Sequence, residues 1–179
     1  MTAVEAALAA FCLTNLLLTL AVVRRLRAHA RTLGRVVEHT PSGLRAGDPV
    51  AGFTAPTVDG ATASGADLAA GGLVAVLSPG CGACEEAVAG LATALAEPGR
   101  PAALVVVAAD PSAAEPMTGM LGRHAPVVVE PAVTGTVQRA LGVREYPALV
   151  AVAGGVVTAV GNDIRDLPAV LSAIPGRVR

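Results

Sequence analysis

Ser78-Pro79-Gly80-Cys81-Gly82-Ala83-Cys84 stands between the apolar run 73–77 (LVAVL) and a helix-patterned stretch, 84–96. A short, unbroken apolar run is the mark of a strand buried on both faces. The stretch after it places Val88, Leu91 and Leu95 on one face of a helix, and Pro98-Gly99 ends it. The cysteine pair therefore falls at a strand-to-helix junction. The thiolate is the reactive form of cysteine. A helix N-terminus favours an anion through its unpaired N–H groups and the positive end of its dipole. Cys81 is expected at that end, exposed, as the attacking thiolate. Cys84 falls one turn further on, on the same side and more buried. From there it can attack a mixed disulfide and release the substrate.

Rival uses of the pair fit less well. Structural zinc needs a second Cys or His pair, and His29, His39 and His124 lack that spacing. A c-type haem site needs His directly after the second cysteine, where Glu85 stands. A static structural disulfide is the remaining rival. The chain holds 3 cysteines, too few for a disulfide framework, and Cys12 lies alone in an apolar segment as a packing residue. No metal and no cofactor beyond the redox-active disulfide is expected.

The 179 residues suffice for one domain and an appendage. Hydrophobic residues make up 53% and aromatics 2%, with no Trp, so the core must be built from Ala, Val and Leu. That suits a sheet covered by helices. Net charge is −1, which gives no reason to expect nucleic acid as a partner. Every basic side chain other than the histidines is Arg, which with the Ala, Gly, Val and Pro richness reads as coding bias.

Outward from the motif, strand-like and helix-like stretches alternate. Asp59-Gly60 signals a small hairpin. Residues 103–109 (ALVVVAA) read as a second buried strand, 111–122 as a helix, 126–129 as a short strand, and 134–141 as a short helix ended by Gly142. Residues 148–153 and 156–160 flank Gly154-Gly155 as a hairpin, and 164–174 closes the domain as a helix. This is a mixed α/β arrangement.

Residues 1–5 form an N-terminal tail. From Ala6 to Val23 no residue is charged, about 18 positions, near the lower limit for crossing a hydrocarbon core about 30 Å thick. A cleaved signal peptide would want a positive n-region and a shorter apolar run. Residues 6–23 are therefore expected to be an uncleaved, single-pass transmembrane anchor. Residues 24–43 carry Arg24, Arg25, Arg27, Arg31 and Arg35, a basic juxtamembrane helix or linker suited to anionic head groups. Thr40-Pro41-Ser42-Gly43 breaks the pattern, so the folded domain is expected over 44–179.

Val143-Arg144-Glu145-Tyr146-Pro147-Ala148 places a proline just before a predicted strand. With the Cys pair upstream, this resembles the thioredoxin superfamily. The resemblance implies a three-layer fold, a central mixed sheet flanked by helices, with Pro147 in cis facing Cys81. It also implies that Tyr146 and Pro147, with Pro79 and Gly80, bind the substrate chain. The anchor, Gly47-Asp48-Pro49-Val50-Ala51-Gly52-Phe53, the Asp59-Gly60 hairpin and Ser-Pro-x-Cys-x-x-Cys narrow the resemblance. They are similar to bacterial membrane-anchored thioredoxin-like proteins of the methylamine-utilisation D type, related to the TlpA and ResA group. That likeness implies protein clients carrying cysteines or disulfides, a role in cytochrome or amine dehydrogenase maturation, and an upstream thiol partner of unknown identity.

The chain departs from that pattern in several places. Gly80 replaces the aromatic residue common before the first cysteine. Ala75 stands where thioredoxin has a buried acid. Gly82-Ala83 lacks the usual proline, and Glu85 and Glu86 stand where a basic residue is frequent. The arginines after the anchor favour a cytoplasmic domain by the positive-inside rule, whereas the resemblance implies the extracytoplasmic face, where the domain is expected. Two other functions fit parts of the chain. Phe53, Pro56 and Asp59-Gly60 also resemble peroxiredoxin N-termini. Their Pro-x-x-x-Thr-x-x-Cys loop is incomplete, however, with Val74 and Ser78 at the Pro and Thr positions. The other alternative is a non-enzymatic, membrane-tethered binding or assembly module.

Overall fold

The structure, a computed structural model, describes Glu5, Leu8 and residues 11–16, 18–20 and 44–175. The chain divides into two units, Met1–His39 and Thr40–Arg179. In the first, every described residue is helical and exposed. Asn15 Nδ2 donates to Phe11 O (3.2 Å) and Thr19 Oγ1 to Asn15 O (2.8 Å), so both side chains donate back to the helix. Among the described residues no helix is long and apolar enough to cross a membrane. The remainder of the predicted anchor at 6–23, and the juxtamembrane segment 24–43, lie outside the described residues.

The second unit is built on a five-stranded sheet in the order β5-β4-β3-β6-β7. These are β3 (Gly72–Leu77), β4 (Ala102–Ala108), β5 (Val127–Glu130), β6 (Ala148–Ala153) and β7 (Val156–Gly161). Strands β3, β4 and β5 run parallel, joined by helices α1 (Gly82–Ala96) and α2 (Pro111–Leu121). Strand β6 pairs antiparallel with β3, and β7 with β6. A two-stranded hairpin, β1 (Thr54–Pro56) with β2 (Thr62–Ser64), stands apart from the sheet. Helices α3 (Thr136–Leu141) and α4 (Leu167–Ser172) complete the unit.

The apolar run in β3 explains its central place. All six residues are buried, and their side chains alternate between two cores. Leu73, Ala75 and Leu77 pack under Val88, Leu91 and Leu95 of α1, Leu121 of α2 and Val170 of α4. Val74 and Val76 face Phe53, Leu68, Val137 and Leu141. The sheet is thus covered on both sides, as the sequence pattern predicts. Val, Leu and Ala supply nearly all of this, and Phe53 is the one buried aromatic among the described residues.

The last predicted helix, 164–174, is corrected. Residues Ile164–Asp166 form a 3-10 turn, and α4 starts only at Leu167. Pro168 contributes to the break, because it has no N–H to donate back to Ile164 O and sits in the first turn of α4, where that donor is not needed. The short helix predicted from 134 starts at Thr136 instead. Gly135, its N-cap, has φ −60 and ψ 154, so helical geometry begins only after it. Strand β5 runs one residue past its predicted end, to Glu130.

Candidate active site

The loop from β3 to α1 fixes the cysteines. Ser78 Oγ donates to Ala108 O (3.0 Å), tying the loop to the end of β4. Gly80 has φ +74, a conformation that side-chain-bearing residues rarely adopt. A Cβ there would meet nothing within 4 Å, so the requirement is conformational rather than one of space. This accounts for the missing aromatic before the first cysteine. Cys81 is the extended N-cap of α1, and its Sγ accepts the Cys84 amide at 3.3 Å. One turn later, Cys84 is fully buried in the α1-side core, whereas Cys81 is half-buried. Both are free thiols.

Pro79 is half-buried and Gly80 exposed, flanking Cys81 in the same loop. Opposite them the Tyr146–Pro147 peptide is cis. Cys81 Sγ donates to Tyr146 O at 3.7 Å. Tyr146 is half-buried and Pro147 buried. Five of the six predicted site residues therefore belong to two facing loops at one end of the sheet, and Cys84 lies in the first turn of α1 beside them.

Burial pushes the Cys84 thiol up to about 12. The hydrogen bond with Cys81 and the charges of Cys81 and Glu85 act in the same direction, against a backbone hydrogen bond at Ser78. Position 75, at the middle of β3, holds Ala75 at 1% exposure and supplies no proton acceptor. Burial also raises Tyr146, helped by the charges of Glu130 and Cys84 and opposed by its bond with Val133. Among the described residues no group of His, Cys, Asp and Glu is placed to hold a metal ion.

A second polar cluster adjoins the site without being singled out by the sequence pattern. Glu130 is 7% exposed and Gln138 is fully buried, and they link to the Tyr146 hydroxyl. The cue available in the sequence is a polar residue at an apolar-periodic position, between Val137 and Leu141.

With this geometry in place, the fold can be compared with solved structures. It is thioredoxin-like: a mixed α/β fold with a central sheet flanked by helices. The thioredoxin domain of a thiol-disulfide oxidoreductase from Bacteroides vulgatus aligns with a TM-score of 0.57 at 15% identity, covering 72% of this chain and 99% of that one. A secreted Mycobacterium tuberculosis disulfide oxidoreductase, homologous to E. coli DsbE, aligns with a TM-score of 0.57 at 19% identity, covering 68% and 95%. StoA from Bacillus subtilis aligns with a TM-score of 0.56 at 12% identity, covering 67% and 96%. No family model and no curated protein matches the chain.

Proposed function

We propose that this chain is a membrane-anchored thiol–disulfide oxidoreductase that exchanges disulfides with protein clients. The observation that carries the reading is the asymmetry of the pair. Cys81 is accessible at a helix N-terminus, Cys84 is buried one turn behind it, and a backbone carbonyl, Tyr146 O, lies 3.7 Å from Cys81 Sγ. The neighbours named as disulfide oxidoreductases share the fold and support the class.

In the reductive direction the Cys81 thiolate attacks one sulfur of a client disulfide. The client S–S bond breaks, and its other sulfur leaves as a thiolate. Cys84 then loses its proton to solvent and attacks Cys81 Sγ, releasing the second client thiolate. Two electrons pass to the client, and the protein is left with a Cys81–Cys84 disulfide. The same steps reversed oxidise a client dithiol. The client backbone lies along Tyr146 and Pro147, with Pro79 and Gly80 beside Cys81.

The finer assignment belongs to the same proposal: an anchor over 6–23, a domain on the extracytoplasmic face, an upstream thiol partner, and the methylamine-utilisation D type. A reporter fused after residue 179 and active on one side of the membrane decides the facing. The exchange chemistry is tested by Cys84→Ser. This variant is expected to accumulate mixed disulfides through Cys81 that thiol reductant dissolves. Failure to trap any partner, together with wild-type protein inert toward a peptide disulfide, overturns the reading.

A further inference from the structure

We infer that Gln138 and Glu130 are positioning residues that hold the client-pairing backbone at Tyr146 against Cys81, by way of the Tyr146 hydroxyl. The inference rests on the exchange function proposed above and extends it to residues on the far face of the sheet.

The hydrogen-bond directions follow from donor and acceptor counting. Gln138 Nε2 lies 3.1 Å from Glu130 Oε1 and 3.0 Å from Pro131 O, and the backbone carbonyl can only accept. The Gln138 amide is therefore fixed with its nitrogen toward Glu130. Its Oε1 accepts from the Val133 amide (2.9 Å) and from the Tyr146 hydroxyl. Both donors and both lone pairs of this fully buried amide are thus used. The Tyr146 hydroxyl, donating to Gln138, also accepts from the Val133 amide at 2.9 Å. Glu130 anchors the far end. Its carboxylate accepts the amides of Val137 (3.0 Å) and Gln138 (2.9 Å), joining the end of β5 to the start of α3.

The path crosses the molecule in a useful direction. Glu130, Gln138 and α3 lie on the side of the sheet away from α1. Tyr146 packs against both cores, and its carbonyl receives the Cys81 thiol. The chain Glu130–Gln138–Tyr146 therefore fixes both ends of the tyrosine, hydroxyl on one side and carbonyl on the other. The exposed Val133, with φ +64, is held in its rarely adopted conformation by the same two oxygens. A well-satisfied buried polar network confers rigidity of this kind.

Three variants approach the network from different sides. Tyr146→Phe removes the hydroxyl alone. Gln138→Met removes the hub at similar size. Gly135→Ala touches neither, but a Cβ at residue 135 would overlap the Glu130 carboxyl. The readout is the second-order rate of Cys81 with two disulfides. One is a cysteine-containing peptide disulfide long enough to lie along Tyr146; the other is a small aromatic disulfide that needs no backbone pairing. Tyr146→Phe should slow the peptide reaction about fivefold, and Gln138→Met about tenfold, by loss of two and of four side-chain hydrogen bonds. Gly135→Ala should slow it in the same sense. The small disulfide, which makes no backbone pairing, should be slowed less than the peptide in all three. Thermal melts identify a variant that has simply unfolded, and Tyr146→Phe, at a half-buried position, keeps the test open in that event. Wild-type peptide rates in a folded Tyr146→Phe overturn the inference, as does equal slowing toward both disulfides. Wild-type protein inactive toward both substrates overturns the functional proposal and this inference with it.

Discussion

Cys84 sets the pH dependence of the proposed reaction. Its thiol is raised to about 12, with burial the largest cause. In a mixed disulfide Cys81 carries no charge and its sulfur is bonded to the client, so those contributions vanish while burial remains. The resolving thiolate is then a small fraction at neutral pH, and that fraction grows about tenfold per pH unit below the pKa. Decay of a preformed Cys81 mixed disulfide, followed by rapid quench, should accelerate about tenfold per unit between pH 7 and 9. A pH-independent rate over that window would mean that a nearby base takes the proton, a role Ala75 cannot fill. Gly80 makes a separate prediction at this scale. With φ +74 and open space around its Cα, Gly80→Ala should cost about 1 kcal/mol of stability from backbone conformation alone. Chemical denaturation measures it, and an unchanged midpoint would mean that the loop relaxes to negative φ.

Helix α1 shows how an element holds the site in place. Its residue Gly90 lies where a Cβ would come within 2.7 Å of Ile164 Cγ1 in the 3-10 turn before α4. Gly90→Val should overpack that contact and destabilise the fold by about 2 kcal/mol. Because the contact sits two turns from Cys81, alkylation of Cys81 in the folded variant should keep its wild-type rate. Both quantities come from one set of denaturation and iodoacetamide experiments. The elements themselves were legible wherever one physical rule dominated. The doubly buried β3 announced itself by unbroken apolar residues, and the β6–β7 hairpin by Gly154-Gly155, both at positive φ as its tight turn demands. The division of residues 164–174 depended on where Pro168 is tolerated, a boundary question that periodicity does not answer. The placement of the candidate cysteine pair was legible, because Cys-x-x-Cys between strand and helix is a local pattern. Glu130 and Gln138 were not, because their meaning lies in a hydrogen-bond path through Tyr146 that no local pattern encodes.

For the whole molecule, the same buried groups that would shape catalysis also tie stability to alkaline pH. The Cys84 thiol titrates near 9 in an unfolded chain and is raised to about 12 in the fold. Below pH 9 both states carry the proton and stability does not depend on it. Above 9 the unfolded chain releases the proton while the folded one retains it, so the unfolded state is favoured progressively until the folded pKa is passed. Tyr146 is raised from 10.0 as well, so its share begins about one unit later. Reduced protein should therefore lose stability from about pH 9 upward, with a steeper fall above 10. Cys84→Ala should remove the part that starts at 9 and leave the later part, while Tyr146→Phe should do the reverse. Oxidising the pair to a Cys81–Cys84 disulfide removes the titrating thiol and should flatten the first part without mutation. Urea midpoints at half-unit steps from pH 8 to 11, on reduced and oxidised protein, read all four curves. Identical curves for reduced wild type and Cys84→Ala would show that Cys84 is not shielded from water in the folded protein, and would remove the basis for the slow resolving step argued above.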